Sequence, residues 1–453
     1  MSLRWDIREH ASLGYFVLRW LCITAPLGAL VGSSVAFFLW LLHQATLTRW
    51  QHPELLYFLP LAGVVIAYAH HRWGKNVAAG NNLIMEQIHE PGGGVPKRML
   101  PFVLFSTVLT HLFGGSAGRE GTAVQMGGSI AQALGCFLRL GKNDTKILLT
   151  CGIAAGFGAV FGTPLTGAIF ALEVLSLGSM RYDSLIPCFM ASIFGNLVCA
   201  AWGIHHTQYS ITAASLHMGG VVAHITPVIA LKVVCAAVLF GLVGFVFAEL
   251  MHTLSGLFKR VVPAYWLRPV VGAGLVLGIS WALGTQDYLG LGVTTASGAG
   301  SSIVNAFHGT GVSSWSWFWK LLLTAITLSC GFKGGEVTPL FFVGAALGSA
   351  LAGLLGLPVD LMAGLGFIGV FAGATNTPLA CTLMGVEVFG GQYLPYFAMT
   401  CFFAYLFSGH SGIYLSQRVD APKCAGLSGR DSSLRDVRQG KDSLFMKLLK
   451  RGE

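Results

Sequence analysis

Apolar runs dominate the chain, and the polar breaks between them carry the information. Residues 12–42 form one long hydrophobic stretch and 55–69 a second, which exits through His70, His71, Arg72 and Lys75. Further runs cover 100–113, 123–138, 147–161, 164–177 and 185–202. A polar connection at 203–224 separates these from a second set at 228–250, 267–283, 303–307, 318–328, 339–355, 362–371, 378–389 and 393–407. A helix needs about 20 apolar residues to cross a bilayer. Several runs are shorter, so the pattern predicts an all-α body with tilted and half-spanning helices. Residues 78–96 differ: Gly80-Asn81-Asn82-Leu83-Ile84 opens an amphipathic piece, and Pro91-Gly92-Gly93-Gly94 breaks it.

Composition makes this an integral membrane protein. Of 453 residues, 54% are hydrophobic and only 10% charged, against about 25% charged in soluble proteins. The formal charge of +9 does not point to nucleic acid, because from Arg418 onward nine Lys/Arg face five Asp/Glu. Basic ends are what the positive-inside rule expects of a cytoplasmic face. Ten cysteines lie singly without a CxxC, so they read as buried thiols rather than a metal site. Residues 1–11 read as a polar lead, and the run after it is too long for a cleaved signal.

The two halves repeat each other. At an offset of 214, Gly152, Phe157, Thr163, Pro164, Leu165 and Glu173 meet Gly366, Phe371, Thr377, Pro378, Leu379 and Glu387. Earlier in each half, at an offset of 216, Gly118, Glu120 and Thr122 meet Gly334, Glu336 and Thr338. Paired glycine-rich breaks in two hydrophobic halves point to a transporter's central site, and an inverted arrangement brings both to the midplane.

The first break, Gly114-Gly115-Ser116-Ala117-Gly118-Arg119-Glu120-Gly121-Thr122, carries the chemistry. Ionisable residues within a membrane are functional candidates. Glycines let backbone N–H groups converge, and the helix that follows brings its positive dipole end to the same point. That makes an anion site, with Glu120 placing a carboxylate where an anion would sit. Ionised, it blocks; protonated, it swings aside and carries a proton. Arg119 reads as a partner for nearby carboxylates or carbonyls, or as an anion ligand. Glu173 and Glu387 read as satisfying neighbouring helix ends, and His111 as packing or a helix–helix hydrogen bond.

The pattern resembles the CLC family of chloride channels and anion/proton antiporters. Gly118-Arg119-Glu120-Gly121-Thr122 is similar to the family's GREGP, with Thr122 replacing proline. Gly334-Gly335-Glu336-Val337-Thr338-Pro339 resembles its GxFxP segment, and Tyr414 fits its inner-gate tyrosine. Asn81 takes the place of the GSGIP serine, while Gly93-Gly94-Val95-Pro96 reads as a plain turn. These departures are similar to the fluoride-selective bacterial branch, whose members are fluoride/proton antiporters. Val174 stands where chloride/proton antiporters carry an internal proton-transfer glutamate, so any internal proton route differs.

The resemblance implies a CLC-type fold of two inverted-topology repeats in a membrane domain spanning 1–417. The repeat halves are about 12–203 and 225–417, followed by a short basic tail at 418–453. It further implies a multi-pass homodimer in the bacterial inner membrane, exchanging fluoride (or chloride) for protons, with no cofactor, metal or nucleic acid and no enzymatic activity. Glu120 is the gating and proton-carrying acid. Asn81, Gly118, Arg119, Gly121, Val337, Thr338 and Tyr414 are the anion-binding candidates, and Glu336 is a candidate proton or anion relay. Two alternatives stay open: a passive anion channel or chloride/proton antiporter, and a membrane hydrolase built on Glu120, Glu336 and His111. The hydrolase lacks an HExxH or GxSxG signature.

Overall fold

The computed structural model describes residues 7–74, 77–212, 226–424 and 432–440. Lys75, the 213–225 part of the polar connection, residues 1–6 and the tail at 425–431 and 441–453 lie outside them. The first half holds α1 (Ile7–Gln51), α2 (Leu59–Trp73), α3 (Asn81–His89), α4 (Met99–Leu112), α5 (Glu120–Phe137), α6 (Lys142–Phe161), α7 (Pro164–Glu173) and α8 (Leu185–Ala201). The second holds α9 (Pro227–Val261), α10 (Leu267–Leu283), α11 (Ile303–His308), α12 (Ser316–Ser329), α13 (Val337–Leu355), α14 (Val359–Thr375), α15 (Pro378–Phe389) and α16 (Leu394–Phe407). Among the described residues, six segments are long and apolar enough to cross a membrane. Others are half-length: α7 has 10 residues, or about 15 Å of helix against a hydrocarbon core of roughly 30 Å. The expected mixture of full and broken helices is present.

Glycine sets how closely the central helices cross. A Cβ on Gly127 of α5 would stand 2.1 Å from the Gly152 carbonyl oxygen of α6. The repeat-equivalent crossing of α13 and α14 is tighter, since a Cβ on Gly344 or Gly366 would meet the other's carbonyl oxygen at 2.0 Å. Backbones this close are the membrane solution to packing without a hydrophobic driving force between helices.

Contacts between the halves are reciprocal. Glu173 ends α7 and accepts the first N–H groups of α15, from Leu379 at 3.0 Å and Ala380 at 2.8 Å. Glu387 of α15 accepts those of α7, from Leu165 at 2.9 Å and Thr166 at 2.8 Å. Both acids therefore satisfy helix ends. Contacts that run from i to j and back from j to i mark a pseudo-two-fold axis, as inverted repeats require.

The membrane body is helical as expected, but a three-stranded scrap of sheet departs from the all-α reading. β1 (Ser176–Leu177), β2 (Arg418–Val419) and β3 (Ser432–Ser433) pair in that order. Two-residue strands leave no periodicity to read, and tertiary pairing alone creates them. They stitch the start of the tail to the body. Arg435 pairs with Glu86 at 3.2 Å, Arg438 with Glu249 at 2.9 Å, and Arg418 with Glu90. The amides of Leu434 and Arg435 bond to the carbonyls of Gln417 and Leu415, fixing the segment that carries Tyr414.

A methyl group at the α13–α14 crossing should force the helices apart. Gly366→Ala is expected to destabilise the protein by about 1–3 kcal/mol, the usual range for overpacking, seen as a lower Tm in detergent. Gly278→Ala on α10, where a Cβ meets nothing within 4 Å, should leave Tm unchanged or slightly raised.

Candidate anion site

The two breaks meet at the centre. Gly118 and Gly335 exchange both backbone hydrogen bonds, at 2.6 and 2.8 Å, so the segments leading into α5 and α13 run antiparallel. Reaching this geometry requires turns that only glycine takes easily: Gly114 has φ +84° and Gly331 φ +120°. His111 secures the first break, its Nε2 lying 2.9 Å from the Ala117 carbonyl and its Nδ1 2.8 Å from that of Thr107. Ser116 is held by the Tyr288 carbonyl and the Thr324 hydroxyl, each at 2.9 Å.

Glu120 begins α5 but points to the start of α13. Its carboxylate accepts the Thr338 amide at 3.0 Å and the Arg119 amide at 3.1 Å. The Thr338 hydroxyl donates from 2.6 Å, equidistant from both oxygens. The side chain is 1% exposed, so these charge-assisted bonds and the α13 dipole are what offset its removal from water. Arg119 Nε stands 3.5 Å away on a side chain that is 22% exposed, a loose pairing rather than a closed ion pair. The carboxylate thus faces the first turn of α13 through the Thr338 amide and hydroxyl.

A cavity of about 650 Å³ approaches from the side bearing Lys259, Arg268 and Lys333. Its wall includes Asn81, Thr122, Glu336 and Tyr414 but not Glu120. Gly121 marks the step between them: a Cβ there would lie 3.2 Å from Asn81 Nδ2 and 3.6 Å from Glu336 Oε2. Asn81 opens α3 without acting as a cap, and its Oδ1 is buried with no partner. Thr338 does not back-bond within its own helix, and Thr122 bonds the Thr107 hydroxyl at 2.7 Å.

The structure thus brings Glu120, Thr338, Asn81, Glu336 and Tyr414 to one axis. It corrects the role expected of one backbone group. The Gly118 N–H is committed to Gly335 and has no proton left for an anion. The carboxylate takes its α13 amide from Thr338, and no bond runs to it from Val337, which is 1% exposed. Gly93-Gly94-Val95-Pro96 stays a turn away from this axis, with the Gly94 amide bonded to Gln87 Oε1 at 2.9 Å.

The protein-family model described as the voltage-gated chloride channel matches residues 62–409. The chain belongs to this family. It is 45% identical over 440 residues to a protein of Pseudomonas syringae pv. tomato named "Chloride/fluoride channel protein", covering 95% of this chain and 93% of that one. Among solved structures, a CLC-type fluoride/proton antiporter matches with a TM-score of 0.83 and 35% identity over 89% of this chain and 99% of that one. A slow cyanobacterial Cl⁻/H⁺ antiporter shares the CLC fold, with a TM-score of 0.73 at 19% identity over 86% of this chain and 94% of that one.

Sequence reading of this CLC chain missed Thr107 and Lys333. Thr107 carries no signal in an apolar run, whereas Lys333 was visible as a charge three residues before Glu336. Removing the Thr338 hydroxyl should strand the Glu120 carboxylate on amides alone. Thr338→Val is expected to lose about 1.5–3 kcal/mol, the range for a hydrogen bond to a charged group, read as a lower Tm. Thr338→Ser should restore it.

Proposed function

We propose that the protein is a fluoride/proton antiporter that expels fluoride from the cytoplasm as protons move inward. The observation that carries this reading is the Glu120 carboxylate seated on the Thr338 amide and hydroxyl. An anion arriving there must displace it, and protonation removes the charge that holds it. One site therefore exchanges an anion for a protonated acid, which couples the two fluxes. Likeness over nearly the whole chain to a CLC-type fluoride/proton antiporter supports the choice of ion.

In this reading Thr338 and Asn81 supply the strong donors that a small, tightly hydrated anion needs in exchange for its water. Asn81 Oδ1 has no protein partner, so the amide is free to turn its Nδ2 toward the path. Glu336 lies next to Gly121 at the same step, a position suited to passing a proton between Glu120 and the cavity. Val174, 3% exposed, cannot take that part. Tyr414 narrows the inner end of the cavity. The basic cavity face is cytoplasmic by the positive-inside rule. The protein acts as a homodimer in a bacterial inner membrane, without enzymatic activity.

A passive conductor is the second reading, favoured by the channel name of the Pseudomonas syringae relative. Proteoliposomes loaded with fluoride separate the two. The antiporter should acidify the lumen as fluoride leaves, and Glu120→Gln should abolish proton movement. Fluoride efflux with no proton uptake in the wild type would make the protein a channel.

A further inference from the structure

Lys333 lies on the path that the antiport reading requires, yet that reading gives it no task. It stands directly before Gly334, three residues ahead of Glu336, and lines the cavity together with Glu336, Asn81 and Tyr414. Among the described residues no carboxylate forms an ion pair with it. Glu336 and Lys259 line the same cavity. The other cations of the cavity are placed differently. Arg268 is committed to the Val262 and Pro263 carbonyls at 2.8 and 3.0 Å, and Lys259 stands exposed at the mouth.

We infer that Lys333 is the inner capture site for the transported anion, a small hard halide, and that Glu336 competes with the anion for its ammonium. A cavity with low-dielectric walls and unpaired positive charge concentrates anions. Among the described residues Glu336 is the single carboxylate in the cavity wall, and when ionised it would repel fluoride one step before Asn81. Lys333 offsets that repulsion. When Glu336 is protonated the ammonium is left to hold fluoride. When the proton departs, the new carboxylate takes the ammonium back and the anion is released toward Thr338. Proton and fluoride occupancy thereby become linked at the inner mouth as well as at Glu120.

This inference rests on the antiport reading, and everted bacterial membrane vesicles test both. Their cytoplasmic face points outward, and respiration acidifies the lumen. A fluoride electrode follows uptake against external fluoride concentration. Lys333→Gln should raise the KM for fluoride about three- to tenfold, the scale of one screened charge near the ion, with the maximal rate retained. Lys333→Arg should keep the KM close to wild type. Potassium gluconate at high ionic strength should bring the wild-type KM toward that of Lys333→Gln. An unchanged KM in Lys333→Gln, or an equal rise in Lys333→Arg, overturns the inference alone. Wild-type vesicles that take up no fluoride overturn the antiport reading and this inference with it. Should Lys333→Gln be inactive, fluoride titration of the purified variant by calorimetry decides: weakened binding supports capture by Lys333, and unchanged binding overturns it.

Discussion

Everything in this molecule depends on keeping a carboxylate comfortable inside a membrane without fixing it there. Glu120 is removed from water, where an ionised acid would stand at a penalty of several kcal/mol without compensation. The compensation comes from two amides, one hydroxyl and the dipole of α13, all of which are neutral. A buried lysine in direct contact would hold the acid more firmly and would defeat exchange. Neutral donors accept any small anion, so the site that stabilises Glu120 is by the same physics a site for its competitor. Arg119 respects this balance by standing off at 3.5 Å on a partly exposed side chain.

Neutral donors must be aimed, and the repeat does the aiming. Helix N-termini point inward only if helices stop midway through the bilayer, which exposes their ends to a region without water. The fold answers each exposed end with a group from the other half. Glu173 and Glu387 take the amides of α15 and α7, and the Gly118–Gly335 bridge joins the two breaks. Glu120 on the amide of α13 belongs to this set of cross-half bonds. It differs from Glu173 and Glu387 in lying beside the cavity of about 650 Å³, two residues from its wall at Thr122.

Much of this was legible in the chain. The paired Gly-x-Glu-x-Thr breaks and the 214-residue offset announced both the repeat and the central acid, because helix breaks in membranes need glycine and buried acids are rare. The capping by Glu173 and Glu387 was legible in kind, though not in its reciprocity. The fate of individual amides was not. Whether Gly118 offers its N–H to an anion or to Gly335 depends on the crossing of two segments more than 200 residues apart, which leaves no local trace. The small sheet at β2 was hidden for the same reason, since two-residue strands arise only where Leu177 and the tail happen to meet. Lys333 was visible but carried no meaning until the cavity gave it neighbours.

The step at Gly121 explains why these parts must be so close together. A side chain there would press on Asn81 Nδ2 at 3.2 Å and the Gly335 Cα at 3.3 Å, so a methyl group would crowd the step between the cavity and Glu120. Glu336 Oε2 sits at the edge of the same step. Tight packing at one glycine therefore holds Asn81, Glu336 and the Gly118–Gly335 bridge against one another.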